Sequence, residues 1–446
     1  MFTEDGRDID WAAVQRRAAS ILSDYIRFDT TNPPGNEAAA IGYLAGLLDL
    51  SGIKSELLSK VEGRPNLVAR LKGDGSKRPL ILLHHADVVA AERDAWKADP
   101  FGGEEKDGAL WGRGTLDCKG LGVMHLVALL LLREQGVPLR RDIIFLAVSD
   151  EEQGGACGAE WLAREHAGML DAEYLLGEGG GGLLIPNRGA VWLPSYAEKG
   201  ILWLKLSCRG DGGHASMPKG GGAVEKMARA VGKLHAMEPE VFVTDEAERN
   251  LKAMAERLGA PWSLVLKNPR SRITMTLLSR AARSNPFVRA LMCSTLAVTG
   301  MKAGAGENQL PESCEATLDC RIHPSDSAAS FRRRVEREIG GEGITVSTTL
   351  ESGATRSSVD TELYRVISEV LQSSGVAKTV VPALFPGTTD SRFFRPLGIT
   401  CYGLLPVMAT MEDLEPHKSN ERIKLSDLES GCRHMYTIVK RICTGG

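Results

Sequence analysis

The sequence predicts an α/β domain built on a mainly parallel sheet and interrupted by an inserted α+β domain. Three observations carry that prediction. Apolar runs of strand length alternate with helix-length stretches as far as Glu198, an alternating strand and a Gly-rich turn then break the rhythm, and the α/β pattern resumes from Val359. The boundaries drawn are 1–197 and 352–446 for the two parts of the first domain and 198–351 for the insert.

Apolar residues at helical spacing predict helices over Trp11 to Phe28, capped by Asp10, and over Glu37 to Leu50, with Pro33-Pro34-Gly35 as the break between them. Strands follow at Asn66 to Leu71, Leu80 to His84 and Asp142 to Ser149, with a strongly apolar helix from Lys119 to Arg133 before the last of them. This β-α-β rhythm fits a parallel sheet covered on both faces. In the insert, a strand from Ile201 to Cys208 leads through Gly210 to Gly213 into a helix over Ala223 to Met237. Polar, weakly patterned sequence from Val241 to Gly306 precedes a strand at Cys314 to Ile322, a helix at Ala328 to Glu338 and a strand at Ile344 to Leu350. The last part reads as a helix from Val359 to Gln372, strands at Thr379 to Leu384 and Ile399 to Leu404, and a final helix whose start carries the box Ser426-x-x-Glu429.

Composition narrows the function. At 446 residues the chain is about three times the ~150-residue domain prior, and 43% hydrophobic with 25% charged residues is ordinary globular usage. Lys+Arg 54 against Asp+Glu 57 leaves a net charge of −3, which provides no basic excess for nucleic acid. The longest apolar stretch, Gly120 to Leu132, is broken by His125 and falls short of the roughly 20 residues of a membrane span. Met1 to Asp10 is acidic and does not read as a secretory signal. Nine cysteines without a CxxC pair read as reduced thiols, so a cytoplasmic setting is expected.

Chemistry gathers at predicted strand ends, where open α/β sheets bind ligands. The strand at Leu80 to His84 runs into His85-Ala86-Asp87, either an incidental polar end or a metal ligand oriented by a carboxylate. Asp117, in Gly112-Arg113-Gly114-Thr115-Leu116-Asp117, could cap the following helix or bind a metal. Asp150-Glu151-Glu152 ends the next strand as an exposed acidic turn or as a metal site with a base beside it. Leu176-Gly177-Glu178-Gly179 and Pro416-His417-Lys418-Ser419-Asn420-Glu421 complete the set. Two imidazoles, three ligating carboxylates and one spare carboxylate fit two zinc ions.

In order and spacing, His85-Ala86-Asp87-Val88-Val89, Trp96, Asp99-Pro100-Phe101, the run Gly112 to Gly120 and Glu151-Glu152 resemble the dinuclear-zinc superfamily of aminoacylases, acetylornithine deacetylases, succinyl-diaminopimelate desuccinylases and glutamate carboxypeptidases. The resemblance spans nearly the whole chain. It implies a zinc-exopeptidase-like catalytic domain with an inserted lid and dimerisation domain, two Zn2+ per subunit replaceable by Co2+ or Mn2+, and a homodimer formed through the insert. By the same resemblance His85, Asp117 and Glu178 hold one ion, and Asp117, Glu152 and His417 the other. Glu151 is then the general base and Asp87 orients His85. His214, in Gly213-His214-Ala215-Ser216, resembles the lid histidine that reaches the partner subunit's active site. Asn308 and Arg321 resemble positions that bind a substrate carboxylate or the developing oxyanion, and Gly387, Thr388 and Thr389 lie in a loop like the one that cradles substrate.

Three positions depart from the family pattern. Cys118 follows Asp117 and is expected to point away, Thr388 replaces a usual second glycine, and Ala90 stands where a proline is common. Glu178, rather than Asp, resembles the branches that act on a blocked amine and a free carboxylate. The extra segment from about Val241 to Ala303 resembles the Gly-Xaa carboxypeptidase and N-acyl-amino-acid hydrolase branch, with Leu264, Val265, Phe287, Leu291 and Met292 lining an acyl pocket or packing the lid. The implied activity is cleavage of an amide in a small N-acyl-amino acid or peptide that bears a free carboxylate. The alternatives are a dipeptidase or carboxypeptidase acting on unblocked peptides, and a silent binding homologue. A nucleotide-binding enzyme is disfavoured because neither Gly179 to Gly182 nor Gly220 to Gly222 has phosphate-cradle spacing.

Overall fold

A computed structural model describes residues 9–185, 189–218, 220–258, 260, 262–304, 306–410 and 417–445, so the acidic residues 1–8 and Pro416 lie outside the described residues. The chain divides into two units, Met1–Tyr196 with Ser357–Ala383 and Thr389–Gly446, and Ala197–Arg356 with Leu384–Thr388.

In the first unit the sheet runs Ser55–Ser59, Pro65–Leu71, Ile143–Val148, Leu80–His85, Tyr174–Ile185, Thr400–Ala409. The last four are parallel to one another, whereas Pro65–Leu71 is antiparallel to both of its neighbours. Leu80–His85 and Ile143–Val148 are buried at every position, as continuous apolar strands covered on two faces must be. Their alternate residues face opposite layers. Ile81, Leu83, Ile144 and Leu146 join Leu162 and Phe394 in one core. The other face carries the helix Lys119–Glu134, buried from Lys119 through Leu132 and packed beneath the helices Trp11–Arg27 and Leu425–Thr444. Gly122 permits that close approach, since a Cβ there would lie 2.2 Å from His84 Cδ2. His84 is thereby a core residue, its Nε2 3.3 Å from the Tyr25 hydroxyl.

Several expectations need correction. Asp10 does cap the first helix, accepting from the Ala13 N–H, but the final helix starts at Leu425 with Lys424 as its cap residue and no side-chain cap. Ser426 therefore lies two residues past the cap position, too far in for its box with Glu429 to form. Of the strand expected at Thr379 to Leu384, only Ala383–Phe385 is extended in a ladder. The segment read as weakly patterned holds the helices Asp245–Leu258, Trp262–Leu266, Arg272–Ser284 and Pro286–Met292 and the strand Thr295–Ala303. Its polar residues cover a small core of Val241, Leu278, Ala282, Met292 and Cys293. Among the described residues no helix is long and apolar enough to cross a membrane.

The second unit has an antiparallel sheet in the order Thr295–Ala303, Ser313–Ile322, Gly200–Arg209, Ile344–Ser352. Leu202, Leu204, Leu206 and Cys208 point to one face, where they meet Met227 and Leu234 of the helix Ala223–Ala236 and Phe331 and Val335 of Ala328–Glu338. All nine cysteines are buried and unpaired.

Candidate active site

The carboxyl edge of the first unit's sheet delivers most of the chemistry. His85 is the last residue of its strand, and Glu178 lies within Tyr174–Ile185 beside it. Glu151 and Glu152 open a single 3-10 turn, entered through Asp150 at φ 75° and left through Gly154 at φ 104°. Left-handed backbone on both sides reverses the chain within a few residues, and Asp is among the side chains that tolerate it. Asp117 stands just ahead of the Lys119–Glu134 helix, joined to Cys118 by a cis peptide. His417 sits in a turn at φ 68°.

These side chains converge. His85 Nε2 lies 3.0 Å from Asp117 Oδ1 and 3.4 Å from Glu178 Oε2. His417 Nε2 lies 3.3 Å from both Asp117 Oδ2 and Glu152 Oε2. Asp117 thus turns one oxygen to each histidine and belongs to two donor groups, His85, Asp117, Cys118 and Glu178, and Asp117, Glu152 and His417, each with donor atoms within 4.8 Å of one another. Either group could hold a metal ion. Glu151 is adjacent but in neither. The His85 Nδ1 faces the Asp87 carbonyl at 2.9 Å, and the Asp87 carboxylate accepts the N–H groups of Glu151 and Glu152, both at 3.1 Å.

Cys118 does not point away. Its Sγ accepts the His85 N–H at 3.2 Å, which turns it toward the donors, while burial pushes the thiol well up from its usual range and keeps it protonated.

The electrostatics call for cations. Burial pushes the Glu178 carboxyl up to about 7 against the pull of His85, and raises Glu152 against His417. Burial and the Glu178 charge hold Glu151 well above the usual carboxylate range. Burial also opposes the Asp117 charge, but hydrogen bonds from His417 and His85 outweigh it and lower the carboxyl. Hydrogen bonds to Asp117 and Glu152 lift His417 to about 10. Among the described residues the two imidazoles are the sole ion-pair partners of Asp117, Glu152 and Glu178. The buried Glu152 Oε1 has no hydrogen-bond partner. Carboxylate and imidazole donors with an orphaned buried oxygen fit hard or borderline divalent ions.

A supporting layer escaped the sequence reading. Asn32 Nδ2 donates to Asp87 at 2.8 Å and to Asp150 at 3.2 Å. Arg64 bridges Asp150, at 2.9 Å, and the buried Glu37. The Glu421 carboxylate accepts from Arg113, Gly114, Leu116 and Asp117. For Asn32, Arg64 and Glu37 no local pattern marks the role. Glu421 was visible four residues after His417, as was Arg113 between two glycines, but their pairing spans 308 residues.

Thr389 is buried beside Asp390 in the first unit and lines a small cavity with His85 and Glu178. The remaining expected residues lie in the second unit in two places. His214 is exposed on a short strand paired with Gln309, its Nδ1 2.7 Å from Ser216 Oγ, and the next residue's N–H donates to the Asn308 carbonyl at 2.9 Å. Arg321 forks onto Asp319 at 2.9 and 3.0 Å and reaches Thr388 Oγ1 at 3.4 Å, while Gly387 offers its carbonyl to Lys199 N–H at 3.2 Å. Of the proposed acyl-pocket residues, Leu291 and Met292 pack in the small core, whereas Leu264 and Phe287 are exposed.

Comparison with known proteins agrees with this geometry. Residues 81–441 match the model of Peptidase family M20/M25/M40. The human N-fatty-acyl-amino acid synthase/hydrolase PM20D1 is 28% identical over 396 residues, covering 86% of this chain and 78% of that protein. Mouse aminoacylase-1 is 26% identical over 414 residues, covering 91% and 90%. The crystal structure of human carnosine dipeptidase 1 superposes with a TM-score of 0.73 at 17% identity over 96% of this chain and 97% of that one, a likeness of fold. The chain belongs to peptidase family M20/M25/M40 and is a metal-dependent hydrolase of the α/β fold expected.

Proposed function

We propose that the protein is a two-zinc amidohydrolase that cleaves the amide of an N-acyl-amino acid, with Co2+ or Mn2+ as possible substitutes. The observation that supports it is the pair of donor groups sharing Asp117, with Glu151 next to both and a member of neither. In this reading His85, Asp117 and Glu178 hold one ion, and Asp117, Glu152 and His417 the other. Two divalent ions there would polarise the scissile carbonyl and bring the pKa of a water toward about 7.

The protein's own residues do the rest. Glu151, beside the donor groups and a member of neither, is assigned as the base that would take the water's proton and pass it to the leaving amine. Asp87 fixes the turn through the N–H groups of Glu151 and Glu152 and keeps His85 oriented. Arg321, Asn308, Gly387, Thr388 and Thr389 are assigned to the substrate and His214 to the oxyanion across a homodimer. The insert 198–351 is assigned as lid and dimerisation domain. Its edge strand Thr295–Ala303, with Val298 and Met301 exposed, pairs with Ser313–Ile322 on one side and with no strand on the other among the described residues, an edge suited to a second copy. Nine unpaired thiols support a cytoplasmic setting.

The substrate class leans on Glu178 and on relatives named for N-acyl-amino acids. The experiment is amino-acid release by the zinc-loaded protein from N-acetyl, N-long-chain-acyl and free dipeptide substrates, with Glu151→Ala as blank. Release from N-acyl compounds, lost by about 10²–10⁴-fold in Glu151→Ala with both ions retained, is the expected result. Preference for free dipeptides would make the protein a peptidase, and retained activity in Glu151→Ala would remove the base assignment.

A further inference from the structure

Glu421 and Arg113 form one buried ion pair at 2.9 Å, with side chains 2% and 3% exposed. The carboxylate is saturated by the loop that ends in Asp117. Its Oε1 accepts the N–H groups of Leu116 at 2.7 Å and Asp117 at 3.2 Å and the Thr115 hydroxyl at 3.4 Å, while Oε2 accepts Gly114 N–H at 3.1 Å and Arg113 Nη1. Gly114, at φ 93°, has the backbone freedom that lets the loop wrap one carboxylate. The guanidinium reaches the other segment, donating to the carbonyls of His417 at 3.3 Å and Lys418 at 3.0 Å, and to Ala90 at 3.4 Å. Its plane lies over the Trp96 ring at 5.1 Å.

His417 and Asn420 both occupy left-handed backbone without being glycine, at φ 68° and 69°, a conformation kept only where neighbouring contacts impose it. Asn420 is also held, its Oδ1 accepting the Lys97 N–H at 2.7 Å. The pair therefore touches the main chain of two donor-bearing residues, Asp117 and His417, that lie 300 residues apart in the sequence.

We infer that Glu421 and Arg113 are positioning residues that hold Asp117 and His417 in register, so that the Asp117, Glu152 and His417 group, with two of its donors braced, depends on them most, and the His85, Asp117 and Glu178 group, with one, depends on them less. The inference rests on the metal-ligand reading above. His85 is set by its strand and Glu178 by the strand beside it, whereas His417 stands on a turn whose main chain the pair braces.

The test is titration of metal-free protein with Co2+ against a competing chelator, each uptake step followed by its visible absorption. Wild type should take up two ions. Glu421→Gln keeps the shape but turns an NH2 toward donors, and should weaken one ion by about 10–100-fold and the other, which shares Asp117, by less. With the weaker site unsaturated kcat should fall while KM holds, and excess metal should restore kcat. Arg113→Lys keeps the charge but loses the fork to His417 and Lys418, and should weaken the same ion, with the double variant less than additive. Arg113→Lys carries the test if Glu421→Gln does not fold. Two ions bound at wild-type affinity in a folded variant, with only thermal stability lowered, would overturn the inference and leave the ligand reading standing. A wild-type protein that takes up one ion or none would overturn both, before any substitution is made.

Discussion

The donor cluster of the first unit and the His214 turn of the second solve different problems. Around Asp117 most donors have a second layer behind them: Asp87 and Asn32 behind His85 and the glutamate turn, and Glu421 with Arg113 behind Asp117 and His417. The His214 turn is exposed and held by Ser216 Oγ and a two-residue ladder, and its ring pairs with no carboxylate or cation among the described residues. The first region has everything needed to hold ions within its own unit. In the proposed reading the second presents an imidazole and an amide that act on a partner group.

Three substitutions probe that contrast and a fourth serves as a reference outside it, in falling order of effect. Asp117→Ala removes the residue common to both donor groups, so metal analysis should find neither ion bound tightly and turnover should drop by at least about 10³-fold, as for loss of the whole metal function. One ion retained at full affinity would show that the groups do not share it. His214→Ala should bind both ions as wild type yet turn over about 10²–10³-fold more slowly, the size of a lost oxyanion donor. Mixing it with inactive Glu151→Ala should restore part of the activity, and no recovery would remove the assignment across a dimer. Asp87→Asn should weaken metal affinity by about 10–100-fold, measured by chelator competition. The smallest effect lies away from both regions. His125 is fully buried in the core helix with neither ring nitrogen bonded, and burial lowers its pKa to about 3. Its neutral form is favoured in the folded state, so the stability it permits is complete above about pH 6.5 and is lost as pH falls toward 3. At pH 5 that loss is about 2 kcal/mol, and His125→Leu should abolish it in urea unfolding compared at pH 7 and pH 5. An unchanged pH dependence would mean that His125 finds a proton acceptor in solution.

The parts of this molecule legible in its sequence are those where local pattern and tertiary role coincide. Leu80–His85 and Ile143–Val148 are uninterrupted apolar runs buried on both faces, so the polar residues that end them stand out. His85, Asp117, Glu152, Glu178 and His417 lie together, in the groups that the family resemblance implied. The helices from Asp245 to Met292 were hidden because a small core needs few apolar residues, and Asp245–Leu258 opens with Asp245, Glu246 and Glu248. The box at Ser426 failed because the chain enters its last helix directly from the Arg422–Lys424 strand. Cys118 was misjudged because its direction follows from a bond to the main chain of His85, 33 residues earlier. Asn32, Arg64 and Glu421 act only through such distant contacts.

The 3-10 turn at Glu151–Gln153 has a consequence for how this site can change over time. With about three residues per turn, successive side chains leave it roughly 120° apart, so in the proposed reading two glutamates adjacent in the sequence serve unlike tasks, Glu152 toward His417 and Glu151 beside the cluster. The division of labour is a matter of phase. A single codon gained or lost between Val148 and Glu151 would rotate the neighbouring carboxylate into each role, while a Glu-to-Asp exchange would leave the phase intact and shorten only the reach. This stretch should therefore vary by side-chain length long before it varies by loop length.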